Sequence, residues 1–556
     1  MKKLISLLLV SLLLTGCGKM GAGSAPTSSS EVQLSQPSEE TRLSGYNSLQ
    51  RIPEVQACIM DEYRIYYEIF PGAYADANGD GMGDLRGILE KLPYLQDELG
   101  VGGLWLMPIH PSPSYHKYDV LDYCSVAPEY GTMEDFEALA AECDSRGIQL
   151  ILDLVLNHTS SEHPWFLAAV RYLSGLTPKE NPDRQVCPYV DYYHFLRGET
   201  CPPNHYPVPG AKNLYYEGHF GPHMPDLNLY SPDLRLEIRE IMDFWIHKGV
   251  DGFRLDAVKE FESGKTEENL KLLRWVRETA ESLKPHCFLV GEVWDSFSEI
   301  SRYYESGIPG IFNYPFGGSD GKIVKVLRNA GNPKIVSTFA GALQKADSQY
   351  RSVNPDYVDA PFLSNHDVGR IAGFVNRDPN KVKLAGAMNL FMSGSVFLYY
   401  GEEIGMVSGA VNDPSYRAPM VWKPGQQQIQ PPSGCTLPKT YPFGSLEEQK
   451  TDPDSVYQYY RAAAAIRNAL PVLSHGVPAA ETKLNTGCIS AVRKTYYEQS
   501  CIVLMNISDQ DAQADLSAYA DWVFSASLTT GHAPVERQGN VLKLPPWGVA
   551  VLTKEE

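Results

Sequence analysis

Eight short apolar runs, with amphipathic stretches between most of them, constrain the fold of this chain more than any other feature. The runs are Arg64–Phe70, Gly103–Ile109, Gln149–Leu156, Gly252–Val258, Phe288–Val293, Ile311–Tyr314, Pro361–Ser364 and Val396–Tyr400. Between them, stretches such as Thr132–Ser145, Asp233–His247, Glu267–Leu283 and Lys381–Met392 have helical spacing of apolar residues. Eight strands with interleaved helices predict an α/β fold, a (β/α)8 TIM barrel whose reactive groups sit at the C-terminal ends of the strands.

Two segments depart from that rhythm. Residues 157–228 are aromatic, rich in Pro and poor in periodic elements, and they follow the third strand. A βα loop of that length reads as an inserted, loop-rich functional domain. Near Gly476 the pattern changes to short β-like runs, Cys488–Lys494, Ile502–Asn506, Val541–Leu544 and Val549–Thr553, which predict a small antiparallel β-sandwich. The expected organisation is a barrel over residues 57–156 and 229–470, the insertion at 157–228, and the sandwich at 471–556.

The N-terminus is a different kind of segment. Lys2 and Lys3 precede an apolar run, Leu4 to Leu14, too short to span a bilayer and of signal-peptide length. It ends in Leu14-Thr15-Gly16-Cys17, which resembles the lipobox of a bacterial lipoprotein. Residues 1–17 then read as a lipoprotein signal with Cys17 as the acylated residue, and 18–56 as a Ser-, Gly- and Pro-rich tether. The expectation is an extracytoplasmic monomer, held on the bacterial cell membrane through its lipid alone.

Composition excludes partners more than it names them. With 48 Lys and Arg against 67 Asp and Glu, the net charge is −19, which disfavours a phosphate-backbone partner, so no nucleic acid is expected. The 33 Tyr and 8 Trp suit stacking on flat faces, sugars included, but core packing would also use them. Ten Cys minus Cys17 leaves nine; Cys187/Cys201 and Cys488/Cys501 are spaced for local bridges, and no CxxC is present.

Four strand ends carry acidic residues beside His or Arg. In Gly252-Phe253-Arg254-Leu255-Asp256, alternation puts Arg254 and Asp256 on one face, and the guanidinium would keep the carboxylate ionised. Such a pair alone fits a salt bridge as readily as a nucleophile. Glu292, flanked by Val293 and Trp294, would be desolvated toward the working range of a general acid. The seventh strand ends Ser364-Asn365-His366-Asp367, and the third ends Asp153-Leu154-Val155-Leu156-Asn157-His158. Ionised groups crowded at one rim repel one another, so all four together point to a site.

These stretches, DLVLNH (153–158), GFRLDAVKE (252–260), GEVW (291–294) and SNHD (364–367), resemble the conserved regions of the alpha-amylase family, glycoside hydrolase family 13. MPDLN (224–228) and GSVFLYYGEE (394–403) add to the likeness, which runs from about residue 60 to the C-terminus. MPDLN is similar to the signature of an intermediate group that includes bacterial lipoprotein alpha-amylases. The resemblance implies Asp256 as nucleophile, Glu292 as acid and base, and Asp367 as the group binding sugar hydroxyls at the cleavage subsite. It further implies Arg254, His158 and His366 near the bond, Tyr118 as the platform under the reacting sugar, His116 and Asp119 flanking it, and Asp153 and Asn157 in support. Lys259 fits either a leaving-side sugar contact or a solvated side chain. Lys117 and Glu260 depart from a common Gly and a frequent His at places expected to edge the sugar.

Asp76, Asn78, Asp80 and Asp84 space side-chain oxygens at positions 1, 3, 5 and 9 of an EF-hand-like loop, with the Met82 carbonyl at position 7. Gly87 stands where a bidentate Glu would complete an EF-hand. A similar loop binds calcium in related members of the family, so structural Ca2+ is expected.

The activity implied is cleavage of α-1,4-glucosidic bonds in starch or maltodextrin, with retention through a covalent glycosyl-enzyme. An exo-acting alpha-glucosidase, or an oligo-1,6-glucosidase or neopullulanase-like enzyme on short α-glucans, is the alternative; Ala257 leaves one pocket wall open and leans toward endo action. A non-catalytic sugar-binding or transporter-associated relative would lack part of the trio Asp256, Glu292 and Asp367, all present here.

Overall fold

A computed structural model describes residues 56–555 apart from 178, 426–428 and 532. The signal, Cys17 and nearly all of the tether lie outside the described residues. Eight parallel strands form the barrel: β1 (Ile65–Ile69), β2 (Gly103–Leu106), β3 (Gln149–Leu154), β4 (Gly252–Leu255), β5 (Phe288–Gly291), β6 (Gly310–Phe312), β7 (Val358–Ala360) and β8 (Val396–Tyr399). They pair in the order β7-β6-β5-β4-β3-β2-β1-β8. Ser395 N–H to Asp359 O (2.7 Å) and Phe397 N–H to Pro361 O (2.9 Å) join β7 to β8 and close the ring. The barrel expected from the alternating runs is therefore present.

One strand is displaced from its expected position. The seventh was placed at Pro361–Ser364, whereas the ladder with β6 uses Val358–Ala360. On the β6 side the ladder ends where Ala360 O accepts from Asn313 (3.0 Å), while Pro361 O accepts from Phe397 and Phe362 bridges Phe397, so past Ala360 the chain pairs toward β8.

The lower interior is filled with rings. Tyr66 stacks on Phe397 at 4.8 Å, Phe312 meets Phe397 at 4.9 Å, and Trp105 lies 5.2 Å from Phe312. These residues are buried, so the barrel is plugged below and can accept a ligand only above them. The outer helices begin where their caps dictate. Thr132 and Asp135 form a capping box at Met133–Arg146, and Ser231 followed by Pro232 starts Pro232–His247.

Between β3 and the helix Pro232–His247, the chain forms the helix Pro164–Ser174 and a sheet of Phe195–Arg197, Leu214–Glu217 and His205–Pro207. Bridges from His158 to Asp226 and from Tyr193 to Leu227 tie this insertion to the end of β3. After the barrel, a five-stranded and a three-stranded antiparallel sheet share one cluster that includes Ile502, Leu504, Trp522, Leu542 and Leu552. The nine described cysteines are free thiols, so the bridges expected for Cys187/Cys201 and Cys488/Cys501 are not made. Cys501 is buried on Gln499–Asn506 and Cys201 is exposed in a loop.

Candidate active site

The site is organised around one guanidinium. Arg254, 1% exposed on β4, donates through Nη1 to Asp256 Oδ1 (2.7 Å) and Asp153 Oδ1 (2.8 Å), and through Nη2 to Glu292 Oε2 (2.7 Å). Strand alternation places Arg254 inside the barrel, and the ends of β3, β4 and β5 bring the three carboxyls to it. Just beyond β4, Ala257 has φ 46° and its N–H donates to Glu292 Oε2 (3.0 Å). Tyr314, beyond β6, donates its hydroxyl to Glu292 Oε1 (3.1 Å).

A second group meets the first at Tyr118. The Tyr118 hydroxyl lies 2.7 Å from His366 Nε2, donates to Asp153 Oδ2 (3.0 Å) and accepts from Arg254 (3.3 Å). His366 is sandwiched between two carboxylates, Glu68 at 2.6 Å from Nδ1 and Asp367 at 2.9 Å from Nε2. Arg417 reaches Asp367 Oδ1 at 2.9 Å and also donates to the Tyr115 hydroxyl (3.1 Å). Asp256, Glu292 and Asp367 thus belong to one connected network.

Burial, set against local charge, decides the protonation of each group. Desolvation pushes Asp256 up to about 8; Arg254 opposes this, while Glu292, Asp153 and Asp367 add to it. The expectation that Arg254 alone keeps Asp256 ionised is therefore corrected: one cation shared among three carboxyls does not outweigh burial. At Asp367 burial also opposes charge, but His366 and Arg417 prevail and hold its carboxyl well below the usual range. His366, buried as well, is kept protonated up to about 9 by Asp367 and Glu68. Burial lowers His116 to about 4 and His158 to about 3, so both are neutral imidazoles at pH 7.

The remaining expected residues fall around this centre. Asp119 accepts from Ser112 (2.7 Å) and from Ser114, which also contacts His116 (3.1 Å). His158 Nε2 is buried without a partner, and Asn157 donates to Asp226 (3.2 Å) in the MPDLN stretch. Lys259 is partly exposed and holds Asp295 (2.8 Å). Glu260 accepts from Ser263 (2.6 Å) beside His219. Lys117 does not edge the sugar pocket: its backbone is left-handed (φ 63°) and its buried ammonium pairs with Glu129. Trp294 is 54% exposed and stacks at 4.9 Å on Tyr314, whose hydroxyl reaches Glu292.

Sequence reasoning missed Glu68, Tyr314 and Arg417. Glu68 had a signal, a lone charge within the buried strand IYYEI. Arg417 had none, because it lies in an irregular loop 50 residues beyond Asp367.

The acidic loop after β1 is closed by its own backbone. Asp76 accepts from Gly79 (2.6 Å) and Gly81 (2.8 Å), Asn78 from Asp80 (2.8 Å), Asp80 from Met82 (2.8 Å), and Asp84 from Ala77 (3.0 Å) and Gly87 (2.6 Å). Each oxygen keeps lone-pair capacity beyond these bonds. Among the described residues no three His, Cys, Asp or Glu side chains gather as a metal site. A cation here would therefore need the Asn78 amide and the Met82 carbonyl beside the carboxylates.

Residues 68–476 match the family model for the alpha-amylase catalytic domain. Alpha-amylase 3 of Dictyoglomus thermophilum is 39% identical over 74% of this chain and 78% of its own. The structure of Eubacterium rectale Amy13B superposes with a TM-score of 0.86 at 40% identity, covering 90% of this chain and 97% of that one. A glucan 1,6-alpha-glucosidase of Streptococcus dysgalactiae is 26% identical over 86% of this chain and 96% of its own.

Proposed function

Because the chain belongs to the alpha-amylase family of glycoside hydrolases acting on α-glucans, we propose that it is an alpha-amylase cutting internal α-1,4 bonds of starch or maltodextrin. The observation that carries this reading is the single network joining Asp256, Glu292 and Asp367. Asp256 and Glu292 hang from two nitrogens of one guanidinium, the close spacing a retaining mechanism needs, roughly 5–5.5 Å between carboxyls. Asp256 attacks the anomeric carbon and forms a covalent glycosyl-enzyme, while Glu292 protonates the departing oxygen. Glu292 then takes a proton from water, which releases the sugar with its configuration retained.

Burial raises Asp256 to about 8, and the attack requires that carboxyl ionised while Glu292 carries the proton that the leaving oxygen takes. Asp367, held ionised, accepts hydroxyls of the reacting ring, and neutral His116 and His158 can donate or accept there without adding charge. The ring of Tyr118 is oriented by its three hydroxyl contacts to lie under that sugar. Early products from soluble starch, pullulan, isomaltose and maltotriose test the linkage and the mode of attack. Mixed malto-oligosaccharides from starch are expected; glucose alone from short substrates would replace this reading with the exo-acting glucosidase.

Calcium at Asp76, Asn78, Asp80, Met82 and Asp84 fits the all-oxygen donor set of that loop. When bound it would stiffen the β1 loop, with no part in bond cleavage. Chelation should lower the melting temperature by several degrees, since a ligand of the folded state alone adds stability. An unchanged melting curve together with no metal by elemental analysis would remove the site. Lipid attachment at Cys17 accounts for the N-terminal pattern, and among the described residues no helix is long and apolar enough to cross a membrane. Cys17→Ser should move the enzyme from the membrane fraction to the soluble one; unchanged fractionation would reject the anchor.

A further inference from the structure

A cavity of about 830 Å³ opens on the flank of the barrel, where the chain after β1 meets the long segment after β8. None of the residues assembled around Arg254 lines it. Its lining includes Trp422, Tyr441, Lys91, Lys423, Glu90 and Glu448.

The wall carrying Trp422 is built in advance. The indole N–H donates to Tyr74 O (2.6 Å), and the rings of Tyr74 and Tyr94 meet the indole edge-on at 5.1 and 5.4 Å. The backbone on either side is pinned by Met420 N–H to Ala73 O (2.9 Å) and by Leu446 N–H to Val421 O (2.9 Å). The flexible ammonium of Lys91 lies over the indole, 4.7 Å from the ring centre. Tyr441 is half-buried in the same cavity.

The chemistry of the lining selects a ligand class. Lys91 and Lys423 stand against Asp76, Glu90 and Glu448, a net of one negative charge at most, so the cavity has little net sign with which to choose an ion. The faces of Trp422 and Tyr441 favour a flat apolar surface, and Lys91, Thr440 and Glu448 offer hydrogen bonds to hydroxyls. A neutral ligand with flat apolar faces and many hydroxyls is a pyranose. We propose that this cavity is a second α-glucan-binding site, which holds a polymer chain on the enzyme away from the catalytic carboxyls. The choice of α-glucan rests on the glycosidase reading above.

The test uses the full chain and two readouts. In an Asp256→Asn background, which leaves the polymer uncut, retardation in gels containing soluble starch reports polymer binding. In the active background, turnover of maltotriose reports the catalytic centre. Tyr441→Ala should weaken starch retardation about tenfold, as expected for losing one aromatic platform, and leave maltotriose turnover within about twofold, a negligible difference in free energy. Trp422→Ala should do the same or more; because it also removes packing against Tyr74 and Tyr94, its melting curve is measured first, and Tyr441→Ala decides the matter. Unchanged starch retardation by folded Tyr441→Ala, with maltotriose still hydrolysed, overturns the second site alone. Failure of the parent enzyme to hydrolyse any α-glucan overturns the glycosidase reading, and this assignment with it.

Discussion

Asp256→Asn is expected to reduce turnover of starch by about 10⁴-fold or more, the scale on which enzymes lose rate when a nucleophile is removed. The substitution is nearly isosteric, and the amide oxygen can still accept from Arg254 Nη1, so the fold and the rest of the network should persist. Only the covalent step is lost. Stability should move the other way. The folded state raises Asp256 to about 8, so it binds that proton more tightly than the unfolded chain does. The contribution of this group is therefore fully present below the ordinary carboxylate range, and it is lost as pH rises through about 8. An Asn cannot lose a proton, so above pH 8 the variant should melt at or above the parent temperature. Retention of even a tenth of the parent activity would reject Asp256 as nucleophile. A variant that melts well below the parent at pH 9 would mean that Asp256 anchors Arg254 more than it burdens the site.

The parts of this site that were legible in the sequence are those fixed by short-range geometry. Arg254 and Asp256 share a face because strand residues alternate, and β4 places them at its end. Glu292 follows β5 directly, and Asp367 follows the chain that leaves β7. The illegible parts depend on which distant segments meet. Lys117 reads as a residue edging the sugar until the turn bearing Glu129 folds against it and draws the ammonium inward. Arg417 has no local pattern, yet with His366 and Arg254 it supplies the positive charge that keeps Asp367 ionised. The protonation of Asp256 was misread for the same reason: adjacency to Arg254 is visible in five letters, whereas complete burial comes from every element around the mouth. The bounds of β7 differ because apolar character continues past Pro361, while beyond Ala360 the chain turns its bonds from β6 to β8 alone.

The arrangement also separates the tasks of the carboxyls by electrostatics. Asp367 has His366, shared with Glu68, and Arg417 beside it, so it remains an anion over the working range. Asp256, Glu292 and Asp153 divide one guanidinium, and that shortage of positive charge lets a proton stay in the site at pH 7. Asp256 must give that proton up to attack, and Glu292 must carry one to release the leaving oxygen. Binding a sugar over this network would displace water and strengthen each of these interactions.

That reasoning makes Glu292→Gln the second large effect. The amide oxygen can still accept from Arg254 and the Ala257 N–H while the amide NH2 donates to the Tyr314 hydroxyl, so the geometry around β5 should hold, but no proton can be given to the leaving oxygen. On starch the loss should be about 10²–10⁴-fold, the usual contribution of general acid catalysis. A nitrophenyl or fluoride glycoside needs no protonation on departure, so its first step should fall by less than about tenfold, the size of effect expected when only positioning is disturbed. Its second step still lacks a base, so the glycosyl-enzyme should accumulate, visible as a burst followed by slow release. Added azide attacks without proton removal and should restore the release. Equal losses on starch and on the activated glycosides, with no burst and no rescue, would show that Glu292 shapes the site without moving a proton, and Tyr314 or a bound water would then have to be examined as the donor.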